Sequence, residues 1–266
     1  MNKKIPILIL FCFAFIGLLF LGSLLPTLLT SYDPNAQFFD AILVTPNSKH
    51  WFGTDELGRD LLARTLFGAR ISLACAGIAT GFALGLGVLY GGISGFLGGK
   101  VDALLMRVLD MLYSIPDLLF FILLGLYLGR DFWGMVLALS CLNWVGIARL
   151  TRGEFLKYKV MPFIEGAKSC GTQPWRIFLI HLLPQTFVPL KAALFLRIPA
   201  LILAESTLSF IGLGLKPPHA SWGTLAGDGY QALAFYPHLI LFPALFIFMT
   251  IFSFQKIGTW LSEKTL

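Results

Sequence analysis

Charged residues are scarce in this sequence of 266 residues. Aspartate, glutamate, lysine and arginine together make up 13% of it, whereas a soluble domain carries roughly 25%. Because apolar residues reach 57%, a water-soluble globule would lack the polar side chains needed to cover its surface. The same composition excludes an intrinsically disordered chain. It predicts a protein that lies in the lipid bilayer.

Cysteine and histidine are also rare, with four of each. The cysteines lie far apart in the sequence, and no spacing typical of a disulfide framework or a metal site appears. We therefore expect neither a metal nor a cofactor in this chain. The basic excess, a net charge of +6, comes without an arginine-rich arm or a zinc pattern, so we expect no nucleic-acid partner. In a membrane protein, the positions of these charges indicate orientation.

Long uncharged runs predict six membrane-spanning helices, because a span needs about 20 largely apolar residues. The run over residues 5–32 is too long for a signal peptide and predicts a retained signal anchor. The other five spans are predicted within residues 70–100, 103–128, 131–149, 187–213 and 228–256. Segments on the same side of the membrane as the N-terminus hold about twice as many lysines and arginines as those on the other side. Because positive charges favour the inside, both termini are predicted in the cytoplasm.

The predicted spans divide the chain into two parts. Residues 1–70 hold the signal anchor and an external segment, in which Thr54 or Asp55 caps an amphipathic helix on the outer membrane surface. One apolar stripe defines that helix, made of Leu57, Leu61, Leu62 and Leu66. Residues 71–266 hold the other spans and a long inside loop over 151–184, with no room for a second soluble domain.

Glycines recur at every fourth residue of the second span, in two series. They are Gly77, Gly81 and Gly85, followed by Gly87, Gly91, Gly95 and Gly99. Small residues at this spacing let helix backbones approach closely. Because the two series are offset by two residues, they lie on roughly opposite faces, which predicts a helix packed on both sides.

Several ionisable or polar residues fall inside the third, fourth and fifth spans. Such groups are costly in hydrocarbon, so they face the protein interior, a partner or water. We predict that five of them line a path through the membrane: Asp117, Asn143, Arg197, Glu205 and Ser206. Asp110 and Lys191 lie nearer to helix ends, from which they can reach the membrane surface.

A remote alternative is an intramembrane serine protease, because residues 92–95 have the G-x-S-G form. Such an enzyme needs a histidine to activate Ser94. The candidate, His238, belongs near the outer end of the sixth span, whereas Ser94 belongs near the inner end of the second. The two are therefore predicted about a membrane thickness apart, which argues against the protease.

The inside loop has the signals of two short helices that meet at an angle. A helical stretch over 163–170 ends at Gly171, a typical C-terminal cap. Thr172 caps the next helix, with Pro174 in its first turn. Gly166 and Ala167 leave one face bare, where another protein can approach. The alternative is an ordinary helical loop.

The same loop resembles a known family signature. Glu165, Gly166, Ala167, Gly171, Leu183 and Pro184 match the EAA-x3-G-x9-I-x-LP pattern of the permease subunits of ABC importers, with departures at Gly166 and His181. Two further blocks, residues 50–73 and 204–223, are similar to the C-type permeases of the dipeptide, oligopeptide and nickel group. The resemblance covers nearly the whole chain from about residue 50.

This resemblance implies an all-α type I ABC importer permease fold in the bacterial inner membrane. It implies a transport subunit, not an enzyme, that forms half of a pathway for di- or oligopeptides, with nickel as the alternative cargo. A secondary transporter, from a different class of protein, is a more distant alternative. The implied partners are a homologous second permease, two ATPases that bind ATP and Mg, and an outer solute-binding protein. The residues implied to couple the chain to an ATPase are Glu165, Gly166, Ala167, Gly171, His181, Leu183 and Pro184. Trp222 and Asp228 are candidate contacts for the binding protein, although Trp222 can instead anchor at the membrane interface.

Overall fold

The structure, a computed structural model, describes residues 6–26 and 29–265. These residues form ten α-helices, and the β-pairing among them is confined to one isolated bridge between Thr54 and Asp60. The helices are α1 (Ile7–Leu24), α2 (Leu61–Leu97), α3 (Gly99–Tyr113), α4 (Asp117–Leu128), α5 (Phe132–Lys159), α6 (Pro162–Ser169), α7 (Pro174–Arg176), α8 (Leu183–Leu208), α9 (Trp222–Gln231) and α10 (His238–Thr265). Two π-helical segments, Ile177–Leu182 and Ser209–Leu213, flank α8. The predicted all-α class is confirmed.

Five helical runs in the described residues are long and apolar enough to cross a membrane: α1, α2, α5, the run over Pro174–Leu213, and α10. A sixth crossing exists only as the pair of α3 and α4, which meet at 82°. The prediction of one helix over residues 103–128 is therefore wrong. Pro116 explains the break, because a proline removes a helical N–H donor and disfavours the helical conformation of the residue before it.

Helices α1 and α10 pack together at one end of the membrane-crossing helices. Phe13 of α1 packs edge-on against Trp260 of α10, with ring centroids 6.3 Å apart. At the other end of α1, Gly22 lies against Leu66 near the start of α2. We call the end with Phe13 and Trp260 the inner end, following the predicted orientation.

Helices α2 and α5 form the most extensive helix pair, and the second glycine series makes it possible. A Cβ atom at Gly91 would overlap the carbonyl oxygen of Ala148, and one at Gly95 would lie 2.7 Å from Cβ of Phe155. The first series, Gly77, Gly81 and Gly85, has no described atom within 4 Å of an added Cβ. Packing on one face of α2 is therefore as predicted, while the opposite face is not covered by the described part of this chain.

Helix α2 begins earlier than predicted and crosses the expected boundary at residue 70. Its N-cap is Asp60, not Thr54 or Asp55. The Asp60 carboxylate accepts a hydrogen bond from the Ala63 amide (2.9 Å), and its other oxygen lies 2.8 Å from Nδ1 of His50. Leu61 and Leu66 of the predicted surface stripe are only 2% and 3% exposed. Leu66 lies against Gly22 of α1, and the Leu61 amide donates to the Gly53 carbonyl of the external segment, so the first turns of α2 lie inside the protein and not on the membrane surface.

Candidate functional site

The predicted coupling residues begin on α6, a short helix at the inner end. Its buried residue is Ile164, which packs with Phe155, Ile177 and Leu182 in a small apolar cluster. Its opposite face is exposed and includes Glu165 and Gly166, while Ala167 is half-buried. The helix is thus held to the protein by one apolar side chain and presents its polar, small-residue side outward.

Gly171 ends α6 as the sequence predicts. Its φ of +75° is a left-handed conformation that glycine adopts without steric cost. The Gly171 amide donates to the Lys168 carbonyl (2.9 Å), and the Thr172 amide donates to the Ala167 carbonyl (3.0 Å), closing the end of the helix. The next helix starts at Pro174 with Gln173 as its N-cap, so the prediction that Thr172 caps it is wrong.

The second half of the signature lies where the chain enters the fifth span. His181 and Leu183 are half-buried and Pro184 is exposed. The Leu183 amide donates to the carbonyl of Phe178, five residues back, which widens the helix into a π-turn. Pro184 accounts for this, because its ring would clash with the carbonyl four residues before it in a regular α-helix. These residues therefore shape the root of the span.

Two arginine–aspartate pairs join α3 to the inner half of α5. Arg152 donates to both carboxylate oxygens of Asp102 (2.5 and 2.6 Å), and Arg149 donates to Asp110 (2.6 Å). The Arg149 guanidinium also lies 4.4 Å from the ring centroid of Tyr113. Sequence reasoning missed these pairs, because the partners are 50 and 39 residues apart.

Ser94 belongs to the same cluster and not to a protease. Its hydroxyl is fully buried and donates to Asp102 (2.5 Å). His238 lies at the outer end, where its ring packs against Gly53 of the external segment. The serine thus has a carboxylate partner that is already held by an arginine, and the histidine is at the opposite end of the molecule.

The break between α3 and α4 lies at membrane depth and is open to its surroundings. Leu112, two residues before it, packs against a cluster that includes Val145 and Ala148 in the middle of α5. Residues 114–117 are all exposed in this chain. Non-helical backbone at membrane depth occurs only where a protein or water covers it. Asp117, a predicted path residue, starts α4 here, where the positive end of the helix dipole favours a carboxylate.

Arg197 and Asn143, also predicted path residues, lie on facing parts of α8 and α5. The Arg197 guanidinium rests on Gly146, at which an added Cβ would overlap Nη2. Asn143 is one turn from Gly146 on the same face of α5, and both Asn143 and Arg197 are partly exposed. A cation at the centre of a spanning helix costs about 2.5–3.5 kcal/mol, so this exposed side needs water or a partner.

Glu205 and Ser206 do not line an exposed surface, which corrects their prediction as path residues. Glu205 is 0% exposed and Ser206 6%. The Glu205 carboxylate accepts hydrogen bonds from Ser72 of α2 (3.0 Å) and Ser209 of the π segment (2.7 Å). The Trp222 amide donates to the Ser72 hydroxyl (3.3 Å). Glu205 therefore joins α2, α8 and the start of α9 inside the protein.

Trp222 is neither a surface contact nor an interface anchor. It is 0% exposed, and its indole Nε1 donates to the Thr65 carbonyl (3.0 Å). The hydroxyl of Ser221 caps α9 by accepting a hydrogen bond from the Thr224 amide (3.3 Å). In turn, the Ser221 amide donates to the Thr224 hydroxyl (2.8 Å). Asp228, on the same helix, is exposed at the outer end.

Comparison with known protein families matches residues 83–264 to the family described as "Binding-protein-dependent transport system inner membrane component". The match covers α3 to α10 and the C-terminal part of α2, including every element that carries the predicted coupling and path residues.

Curated relatives agree with this family. The chain is 40% identical over 215 residues to the dipeptide transport system permease protein DppC of Bacillus subtilis, an alignment that covers 81% of this chain and 67% of that protein. It is 43% identical over 197 residues to the oligopeptide transport system permease protein OppC of Haemophilus influenzae, covering 74% and 63%. For OppC of Bacillus subtilis the identity is 39% over 192 residues, covering 72% and 63%. The chain thus spans about two thirds or less of these relatives.

Solved structures share the fold at low sequence identity. An inward-facing form of the MetNI methionine ABC transporter superposes with a TM-score of 0.63 and 16% identity, over 76% of this chain and 96% of the matched chain. A second crystal form of that transporter gives a TM-score of 0.60. This similarity supports the importer permease fold.

Proposed function

This chain belongs to the family of binding-protein-dependent transport system inner membrane components, and we propose that it forms half of the pathway of an ATP-driven importer of di- or oligopeptides. Members of the family are transport subunits and not enzymes. They lie in the inner membrane, in agreement with the apolar helices of this chain. Peptide as the cargo is supported by the named substrates of the dipeptide and oligopeptide relatives.

A homologous second permease completes the pathway in this proposal. The break at residues 114–117 and the partly exposed Arg197 and Asn143 support it, because one chain leaves these groups uncovered at membrane depth. An outer solute-binding protein delivers the peptide, and two ATPases, which bind ATP and Mg, drive the cycle.

The observation that carries the proposal is the exposed side of α6. Ile164 and the turn at Gly171 hold α6 in place on the protein. Because Gly166 has no side chain and no described atom lies near it, a partner surface can reach the helix backbone there. We propose that an ATPase binds this side through Glu165, Gly166 and Ala167. ATP-driven closure of the ATPases then pushes on α6, and the π-turn at Ile177–Leu182 passes the movement into α8.

Substitution Gly166→Leu tests this docking surface. An added Cβ at 166 meets no described atom within 4 Å, so the chain should fold normally. The leucine side chain should hold the ATPase away from the helix backbone and weaken binding at least about tenfold, equivalent to 1.4 kcal/mol. The measurement is ATPase co-purification with the assembled permeases, together with peptide uptake in proteoliposomes.

The matched control is Gly153→Leu, at another exposed glycine near the inner end with equal free space. We expect it to retain ATPase binding. Gly166 is a cleaner test position than Gly171, because any side chain at φ +75° strains the backbone whatever the space around it. Normal ATPase binding and uptake in Gly166→Leu would overturn the docking proposal.

The cargo is tested separately. A solute-binding protein encoded beside this chain can be purified and its bound ligand identified by mass spectrometry. A bound peptide supports the proposal. Bound nickel in place of peptide would move the chain to the nickel branch of the same group and contradict the proposed cargo.

A further inference from the structure

Arg197, on a membrane-crossing helix, is a cation without a partner among the described residues of this chain. No hydrogen bond or ion pair joins it to any residue in the described ranges 6–26 and 29–265. Arg149 and Arg152, which lie nearer the inner end of α5, both pair with aspartates. The charge of Arg197 is instead left for something outside the chain.

By position along the helices, Arg197 lies in the inner part of the membrane-crossing region. Gly146, on which the guanidinium rests, is about 21 Å along the helix from Phe132, the outer start of α5, at 1.5 Å per residue. Arg197 itself is about 24 Å from Leu213 at the outer end of its helical run. The hydrocarbon core is about 30 Å thick. Lys191, six residues further inward, is the cation placed to reach the inner surface.

The surroundings of Arg197 form an open seat. Gly146 supplies the floor, because any side chain there would occupy the space of the guanidinium. On α8, its neighbours along the same face are Ala193, Ala200 and Ala204, which are all at least partly exposed. Small side chains on both helices leave the guanidinium accessible instead of covering it.

The seat lies at the level of the broken span. Leu112, just before the break, packs against a cluster that contains Val145 and Ala148, which flank Gly146 on α5. The exposed, non-helical backbone and the unpaired guanidinium therefore occur at one depth, and both are features of a water-filled path or a partner surface. A path explains both, because water can solvate them between transport events.

We propose that Arg197, seated on Gly146, binds the C-terminal carboxylate of a peptide during its passage. This inference rests on the proposed function. Every linear peptide carries that carboxylate whatever its side chains, so a fixed cation can serve many sequences. A guanidinium suits the task because its planar donors match the two oxygens of a carboxylate.

The first experiment compares a peptide with its C-terminally amidated form. In proteoliposomes that contain the complete transporter, Arg197→Gln should raise the concentration for half-maximal uptake of the free-carboxylate peptide about tenfold to a hundredfold. Uptake of the amidated peptide should be unchanged. Lys191→Gln, which removes a cation from the same helix outside the seat, is the matched control and should alter neither.

The second experiment keeps the arginine and disturbs its seat. Gly146→Ala places a methyl group where Nη2 lies, and the clash is with the end of a flexible side chain, so the helices can remain packed. We expect the same carboxylate-specific loss as in Arg197→Gln. Gly153→Ala on the same helix, where the space is free, is its control.

The third experiment tests the charge without relying on the amidated peptide. Arg197→Cys is made in a chain whose native cysteines, Cys12, Cys75, Cys141 and Cys170, are replaced by alanine. A positively charged aminoethyl thiol reagent should restore uptake, and a neutral methyl reagent should not. Equal effects of the two reagents, or equal loss of both peptides in the first experiment, would overturn the inference.

Two other outcomes have distinct meanings. If Arg197→Gln prevents the two permeases from assembling, the carboxylate belongs to the second permease and the inference is wrong. If the wild-type transporter takes up no peptide in either form, the proposed cargo fails and this inference fails with it. If the transporter takes up peptide and Arg197→Gln changes the uptake of neither form, only this inference is overturned and the proposed function stands.

Discussion

Gly91→Leu is expected to abolish accumulation of the folded protein. A Cβ atom at this position would already overlap the backbone carbonyl of Ala148 on α5, and backbone cannot move aside as a side chain can. Inserting extra methylenes into a well-packed interior costs about 1–3 kcal/mol and occasionally more, and leucine adds a whole side chain at this position. Helices α2 and α5 would have to separate along the face that also holds Gly87 and Gly95.

The control for this substitution lies on the same helix. Gly81→Leu adds the same side chain at a glycine of the first series, where no described atom lies within 4 Å of an added Cβ. We expect this chain, expressed alone, to accumulate and elute as a single species in detergent size-exclusion chromatography, while Gly91→Leu aggregates or is degraded. Equal yields of the two variants would contradict the packing described for α2 and α5.

Glu205→Ala is expected to be nearly as damaging, and for a structural reason. It removes the acceptor of the Ser72 and Ser209 hydroxyls, both buried. Each polar group left unpaired in a buried site costs about 1–3 kcal/mol, and the lost side chain also leaves a cavity. The attachment of α9 to α2, which runs through Ser72, should loosen as well.

Glu205→Gln is the matched variant, because its amide oxygen can still accept a hydrogen bond from a serine. It should retain more folded protein than Glu205→Ala in a thermal-stability assay in detergent. Ser72→Ala combined with Glu205→Ala should cost less than the sum of the single changes, since the two residues share one contact. A Glu205→Ala chain that folds normally but fails to transport would instead return Glu205 to the pathway.

The spans and the inner loop were largely predictable because their signals are local. Apolar length marks a crossing helix, and Gly171 marks a helix end through its own backbone preference. The failures have tertiary causes. Pro116 marks where the third span breaks, but the 82° angle between α3 and α4 depends on how both halves pack. The N-cap at Asp60 depends on an external segment that folds back over the start of α2.

The path residues were predictable only in part. Hydropathy shows that a polar group lies at membrane depth, but it does not show which way that group points. Arg197 and Glu205 are two turns apart on one helix and have the same sequence signal, an ionisable residue in an apolar run. One rests partly exposed on a glycine, and the other is fully buried among serines.

The sequence by itself determined that this chain is a membrane protein, that it is helical, and which family it resembles. Those properties follow from composition, run length and motifs of neighbouring residues. The tertiary structure alone decided which glycine series of α2 is packed, and that Glu205 is buried while Arg197 is partly exposed. The physical reason is that such contacts act over a few ångströms between distant residues: Ser72 and Glu205, 133 positions apart, meet in one hydrogen bond.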